Sequence, residues 1–239
     1  SEWLKRIDFW KEKYPICLPE YYDQKEFVNP YVFMDALSKE TEDGDIIITD
    51  AGGTLTWTMQ GYKIRHKQML FSAFNHSPMG YSLSASIGAQ FAAPDNNIIC
   101  ITGDGGLNMN IQELETVIYN KLPIKIFVLD NQEYGIIKQT QDTWMNSRYV
   151  GTDRNSGLGF PNLVKIAKAY NFETVEIENH DNLDLKIKNI LAKKDKPIFC
   201  RVALKSGEQI IPKLTFGRPL EDLAPFLDRE ELKKILEVL

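Results

Sequence analysis

Cysteine is scarce in this sequence and scattered: Cys17, Cys100 and Cys200 stand far apart and form no CxxC pair. That spacing excludes a disulfide-stapled scaffold and a clustered iron–sulfur or zinc centre. Two of the three lie in apolar runs, as buried thiols of a reducing cytoplasm do, so a cytoplasmic location is expected. No apolar run approaches the ~18 residues of a membrane helix, and no basic-then-apolar leader pattern opens the chain. The expectation is a protein without membrane contact. Basic residues are not massed: 28 Lys and Arg are dispersed among 33 Asp and Glu, for a net charge of −5, which argues against nucleic acid as a partner. Neither GxGxxG nor GxxxxGK[ST] occurs, so the common dinucleotide and P-loop fingerprints are missing. There is no internal repeat and no low-complexity tract. What remains is a 239-residue chain, 43% hydrophobic, long enough for one large or two small domains with a sizeable core.

The most informative stretch runs from Ile98 to Gly135, IICITGDGGLNMNIQELETVIYNKLPIKIFVLDNQEYG. Ile98 to Thr102 reads as a buried strand that ends at glycines. Gly103-Asp104-Gly105-Gly106 turns sharply, and Asn110 is placed to cap a helix whose apolar residues Ile111, Leu114, Val117 and Ile118 share one face. Leu122-Pro123 ends that helix, and Ile124 to Leu129 is a second buried strand that delivers Asp130-Asn131. In a βαβ unit these two polar clusters lie at the carboxyl ends of neighbouring parallel strands, where such folds bind ligands. Asp104 supplies an anionic oxygen and Asn131 a neutral one. A hard cation such as Mg²⁺ takes that set together with water and phosphate oxygens. Gly103, Gly105 and Gly106 let backbone N–H groups approach a phosphate closely. The residues alone thus point to a diphosphate held through Mg²⁺.

GDG, this spacing, and then an Asn-containing turn resemble the thiamine diphosphate signature. The likeness is closest to the acetolactate synthase group of 2-oxo acid enzymes, whose second strand ends in Asn-Asn-Gln before a Gly. Here the run is Asp130-Asn131-Gln132-Glu133-Tyr134-Gly135, with Asp in place of the first Asn. The resemblance implies that Mg²⁺ is held by Asp104, the Asn131 side chain and the backbone carbonyl of Glu133. It also places Tyr134, Gly135 and Ile136 beside the cofactor, with Ile136 and Ile137 lining the substrate channel. Asp50-Ala51-Gly52-Gly53-Thr54 resembles the family's Asp-Val-Gly turn, which puts Gly53 and Thr54 at the terminal phosphate. Phe71 to Ala93 (FSAFNHSPMGYSLSASIGAQFAA) resembles the segment whose Met wedges under the cofactor and whose carbonyl two residues earlier accepts from its 4′-amino group. Those roles fall on Met79 and Ser77. His76 departs from the family pattern and is a candidate catalytic residue, as proton donor or carboxylate binder. Thr140 stands where the family has Trp, which changes the pocket where a second substrate is selected.

The remaining pattern gives helices over Glu2–Lys13, Val32–Leu37, Leu55–Gln60, Ile136–Trp144, Pro161–Tyr170, Leu183–Ala192 and Glu230–Leu239. Strands are expected at Asp45–Thr49, Thr174–Ile177 and Ile198–Ala203. A small-residue helix runs through Gly80–Ala89, and residues 146–160 form a polar, Gly-rich loop that orders over the site. His66 and His180 read as surface positions. The fold class is α/β, a parallel sheet flanked by helices on both faces, the thiamine diphosphate-binding fold by resemblance. Residues 1–30 read as a Trp- and Pro-rich linker-like segment, 31–205 as the diphosphate- and Mg²⁺-binding domain, and 206–239 as a tail with a helix, like the end of large acetolactate synthase chains.

In the resembling enzymes a glutamate on a separate pyrimidine-binding domain activates the cofactor, and nothing here matches its motif. The resemblance therefore implies a missing partner domain, a homodimer or tetramer, and FAD only through a domain not in this sequence. The start at Ser1, in mid-pattern, reads as a piece of a longer chain, the C-terminal part of an enzyme that decarboxylates a 2-oxo acid and transfers or protonates the carbanion. A separate cofactor-binding subunit of a two-subunit decarboxylase, an inactive descendant, and a non-enzymatic Rossmann-like module stand as alternatives.

Overall fold

The structure, a computed structural model, describes residues 1–237. Two compact units emerge: Cys17–Glu208, and Ser1–Ile16 together with Gln209–Leu239. The division falls outside both expected boundaries, 30/31 and 205/206. Residues 17–30 are held to the larger unit by specific bonds. Tyr22 donates to Asp35 at 2.7 Å, Val28 bridges to Leu204, and the Asn29 backbone N–H donates to His180 Nε2 at 2.9 Å.

In the larger unit the chain forms α2 (Pro30–Glu40), β1 (Ile46–Thr49), α3 (Gly53–Gly61), β2 (Met69–Phe71), α4 (Tyr81–Ala92) and β3 (Ile98–Gly103). It continues through α5 (Asp104–Met109), α6 (Glu113–Tyr119), β4 (Lys125–Asp130), α7 (Gly135–Trp144), α8 (Leu163–Ala169), β5 (Glu173–Ile177), α9 (Leu183–Leu191) and β6 (Ile198–Ala203). The smaller unit carries α1 (Glu2–Lys13) and α10 (Arg229–Leu236), where Glu231 takes Lys13 in an ion pair and accepts from the Tyr14 hydroxyl.

Among the described residues six strands form one parallel sheet, in the order β2-β1-β3-β4-β6-β5. The central strands are buried on both faces, which is why Ile46-Ile47-Ile48 and Ile98-Ile99-Cys100-Ile101 are unbroken apolar runs. Ile48, Cys100, Ile126 and Phe199 face a core completed by Leu83 of α4, Leu114 and Val117 of α6, and Leu163 and Ala167 of α8. On the opposite face Phe33 of α2 packs on Phe127 of β4, their rings 5.5 Å apart. Asn29 starts α2 by accepting from the Tyr31 and Val32 amides, with Pro30 at the first helical position.

Three differences from the sequence reading have clear causes. β2 is a three-residue edge strand, too short for a periodic signal. The helix expected from Asn110 starts later, as α6 at Glu113, while the expected turn at Asp104 opens a further helix, α5, which Asn110 ends, its side chain drawn elsewhere by Gly80. His180 is half-buried and bonded, because the β5–α9 turn receives the 22–29 segment.

The chain leaves β1 for β2 on one side and returns to β3 on the other. The sheet therefore switches direction between β1 and β3, and the ends of those strands flank the crevice where doubly wound sheets bind ligands.

Burial lowers the His180 pKa below 6.5, against the pull of the Tyr22 carbonyl. The neutral ring is the form the fold favours, so stability is full above pH 6.5 and falls as pH drops from there towards the depressed folded value. His180→Ala is expected to cost about 1–2 kcal/mol at pH 8, by leaving the Asn29 amide unpaired. It should also flatten the loss of stability between pH 6.5 and 5. Urea unfolding at several pH values checks both.

Candidate functional site

Three strand ends meet at the carboxyl edge: Asp50 after β1, Asp104 after β3, and Asp130-Asn131 at the end of β4. Asp104 is 2% exposed. Its Oδ1 accepts from the Gly105 amide at 2.6 Å, and its Oδ2 accepts from the Gln132 amide, also at 2.6 Å. That second bond ties the GDGG turn to the Asn131 turn directly. Gln132 makes it from a left-handed conformation, φ +59°, a backbone state that is costly for a residue with a side chain.

The glycines are required by what lies against them. A Cβ on Gly105 would fall 2.5 Å from Tyr134 Cε1 and 3.1 Å from Met79 Cε. One on Gly135 would lie 2.9 Å from Asn131 Nδ2, and one on Gly103 3.2 Å from Thr54 Oγ1. The same contacts show which expected residues converge. Thr54 at the start of α3 reaches Gly103, Met79 and Tyr134 both approach Gly105, and Ile136 lies against Gly52. Gly53 begins α3. Ser77 holds φ +41°, so its carbonyl is aimed by a strained turn. His76 is exposed on the loop 72–80, beside a cavity of about 350 Å³ lined by Ser72, Ala73, Phe74 and Asn75. It is not among the residues these contacts draw together.

Burial, and next the neighbouring Asp130, hold the Asp104 carboxyl well above the usual carboxylate range. Asp130 itself is paired: the Arg201 guanidinium meets it at 2.5 Å, from a position two residues back along β6 on the same face of the sheet. The Glu133 side chain is turned away into a second network. It receives Lys138 Nζ at 2.8 Å, the Ser206 hydroxyl at 2.7 Å and the Gly207 amide at 2.6 Å. Lys138 also meets Asp153 at 3.0 Å. Burial works against its charge, but the two carboxylates raise its pKa. The Tyr134 amide donates to the Thr152 carbonyl at 2.8 Å, and Phe160 packs edge-on against Tyr134. The loop 146–160 is thereby strapped over the Asn131 turn.

A metal in this place has few charged ligands to call on. Among the described residues no group of three or more His, Cys, Asp or Glu is arranged to hold one. One buried carboxylate, one side-chain amide oxygen and a backbone carbonyl are nonetheless a hard, oxygen-only set. Such a set needs phosphate oxygens and water to complete six-coordination, so the residues fit Mg²⁺ carrying a diphosphate. A cation there would also relieve the unfavourable charge of Asp104 beside Asp130.

The sequence reading missed Asp50 as a site element, although it ends the first strand in the same way that Asp104 ends the third. It also missed Gln132, Phe160 and the side chain of Asn110, which act through contacts distant in sequence.

Over residues 50–202 the chain matches the family described as thiamine pyrophosphate enzyme, C-terminal TPP binding domain. The acetolactate synthase large subunits of Porphyra purpurea and Cyanidium caldarium are 30% and 32% identical to it over 216 residues, each covering 90% of this chain. The mitochondrial acetolactate synthase catalytic subunit of Saccharomyces cerevisiae is 29% identical over 229 residues, 95% of this chain. These alignments take in 35%, 36% and 32% of the relatives, so the chain spans about a third of their length.

Gly105→Ala is expected to push Tyr134 off the turn and cost about 1–3 kcal/mol of stability, as overpacking does. Guanidinium unfolding measures the loss, and Tyr134→Ala in the same chain should recover part of it.

Proposed function

From the premise that this chain belongs to the thiamine pyrophosphate enzymes, as their C-terminal TPP-binding domain, we propose that it holds the diphosphate of thiamine diphosphate through Mg²⁺. Asp104, the Asn131 side chain and the Glu133 carbonyl would hold the metal. Gly53, Thr54, Gly103, Gly105 and Gly106 would receive the phosphates, and Ser77, Met79, Tyr134, Gly135 and Ile136 the rest of the cofactor. The observation that carries this reading is the Gln132–Asp104 hydrogen bond, which brings both ligand turns to one point beside the switch in the sheet.

The bound cofactor supplies the carbanion chemistry on a 2-oxo acid, as in the acetolactate synthases that this chain resembles. The chain's own residues bind and orient. Asp104 and Asn131 would fix the anionic end, the N-terminal turns of α3 and α5 would offer backbone N–H groups to phosphate, and the strapped loop with Phe160 would shield the Tyr134 side from water. Thr140 donates to the Ile136 carbonyl at 3.0 Å, and a threonine where the family carries Trp would change the pocket beside Ile136 and Ile137 where a second substrate is selected. His76, exposed on the loop 72–80, is the candidate proton donor or carboxylate binder. A pyrimidine-binding domain with the activating glutamate, in the same longer chain or a partner subunit, completes the enzyme as a homodimer or tetramer. Three free thiols suit a cytoplasmic setting.

Calorimetry with thiamine diphosphate plus Mg²⁺ should show binding that EDTA abolishes, while ATP and NAD give no heat. Asp104→Ala should weaken Mg²⁺-dependent binding at least ~100-fold, the loss of a buried charged ligand being worth about 3 kcal/mol or more. Wild-type affinity in Asp104→Ala would overturn the assignment.

A further inference from the structure

We propose that Asp50 and Asn110 are positioning residues that hold the two peptide units flanking Gly80, one each, and so set the Met79 side chain against the diphosphate turn. The proposal rests on the cofactor reading above.

Asp50 is 1% exposed and its carboxylate is spent on four residues. Oδ1 accepts from the amides of Ala51 at 2.8 Å and Gly80 at 3.0 Å. Oδ2 accepts from the Ser82 amide at 3.2 Å, the Ser82 hydroxyl at 2.7 Å and the Thr102 hydroxyl at 3.3 Å. On the following peptide unit, Asn110 Nδ2 donates to the Gly80 carbonyl at 2.8 Å and to Ser84 Oγ at 3.3 Å. Gly80 itself is left-handed, φ +88°, and a Cβ there would meet Asn110 Nδ2 at 2.8 Å.

Between the strained Ser77 and the left-handed Gly80 lie only Pro78, whose φ is fixed, and Met79. A turn that holds Ser77 at positive φ persists only where its surroundings over-determine it. Asp50 and Asn110 are those surroundings. Asp50 also lies under the second turn, since a Cβ on Gly106 would fall 3.0 Å from its Cγ. One carboxylate therefore registers the Met79 turn against Gly105-Gly106, and Met79 Cε approaches Gly105 as a consequence. Neither Asp50 nor Asn110 is among the metal or phosphate ligands assigned above. Their effect on a bound cofactor would pass through Met79 and the Ser77 carbonyl.

The test uses the full-length protein that carries this chain, in the variants Asp50→Asn and Asn110→Ala. An amide in place of the Asp50 carboxylate keeps its shape and loses one of the two acceptor oxygens. Asn110 is partly exposed, so its truncation leaves a folded protein even where Asp50→Asn does not. Three quantities are compared with wild type: Mg²⁺-dependent affinity for inorganic pyrophosphate, amide exchange of residues 77–84 without ligand, and deuterium exchange at C2 of bound thiamine diphosphate. The expected result is pyrophosphate affinity within about twofold, faster amide exchange at 77–84, and C2 exchange slowed roughly tenfold or more, as a misplacement near 1 Å produces. C2 exchange at the wild-type rate in folded Asn110→Ala overturns the proposal. So does a parallel fall of pyrophosphate affinity and C2 exchange, which marks a general structural role. Failure of the wild-type protein to bind pyrophosphate or thiamine diphosphate with Mg²⁺ overturns the cofactor reading itself, and the proposal with it.

Discussion

The Gln132 amide donating to Asp104 is a single hydrogen bond, but the site depends on it. Parallel strands end at one crevice, and the backbone groups of the turns beyond them lie outside the sheet ladder. The chain answers with side chains. Asp104 reaches across from β3 to the turn after β4, and Asp50 reaches from β1 to the start of α4 and to β3. Both aspartates are buried acceptors of backbone N–H groups, so each trades a desolvation cost for fixed geometry. The crevice is thus organised from three adjacent strands before any ligand enters.

Charge is distributed unevenly around that crevice. Asp130 replaces a neutral residue of the resembling enzymes and brings a second carboxylate beside Asp104. The sequence shows the substitution but not its compensation. Arg201, on the neighbouring strand, neutralises Asp130 and is itself shared with Glu176 and Glu178 on the solvent side. A buried charge that arrives with its partner costs far less than one that arrives alone. Asp130 is held by Arg201 and Gln132, which leaves Asp104 as the carboxylate for the proposed metal.

Much of this was legible from the sequence because it is local. Isoleucine runs mark strands buried on both faces, and GDGG and the Asn131 turn end their strands at the carboxyl edge of the sheet. Helix α1 and strands β1, β3, β4 and β6 fall within a residue or two of their expected limits. The remainder depends on contacts that no short window contains. Asn110 carries good capping chemistry, yet Gly80, thirty residues earlier, competes for its side chain and wins. His180 looked solvent-facing because its partners, Tyr22 and Asn29, lie at the far end of the chain. The division into units follows the same logic, since the smaller unit joins residues from both termini.

The sheet order carries a consequence for how the molecule is made. β6 lies between β4 and β5, so β4, which carries the Asn131 turn, has an open edge until residues 198–203 have been synthesised. A chain growing from its N-terminus can close β1, β2 and β3 early, but β5 has no neighbour to pair with until its successor in sequence arrives. The strand that covers the outer edge of β4 therefore arrives late in translation. A nascent chain halted before residue 198 presents the unpaired edge of β4, an apolar strand, the kind of surface that chaperones recognise and that seeds aggregation.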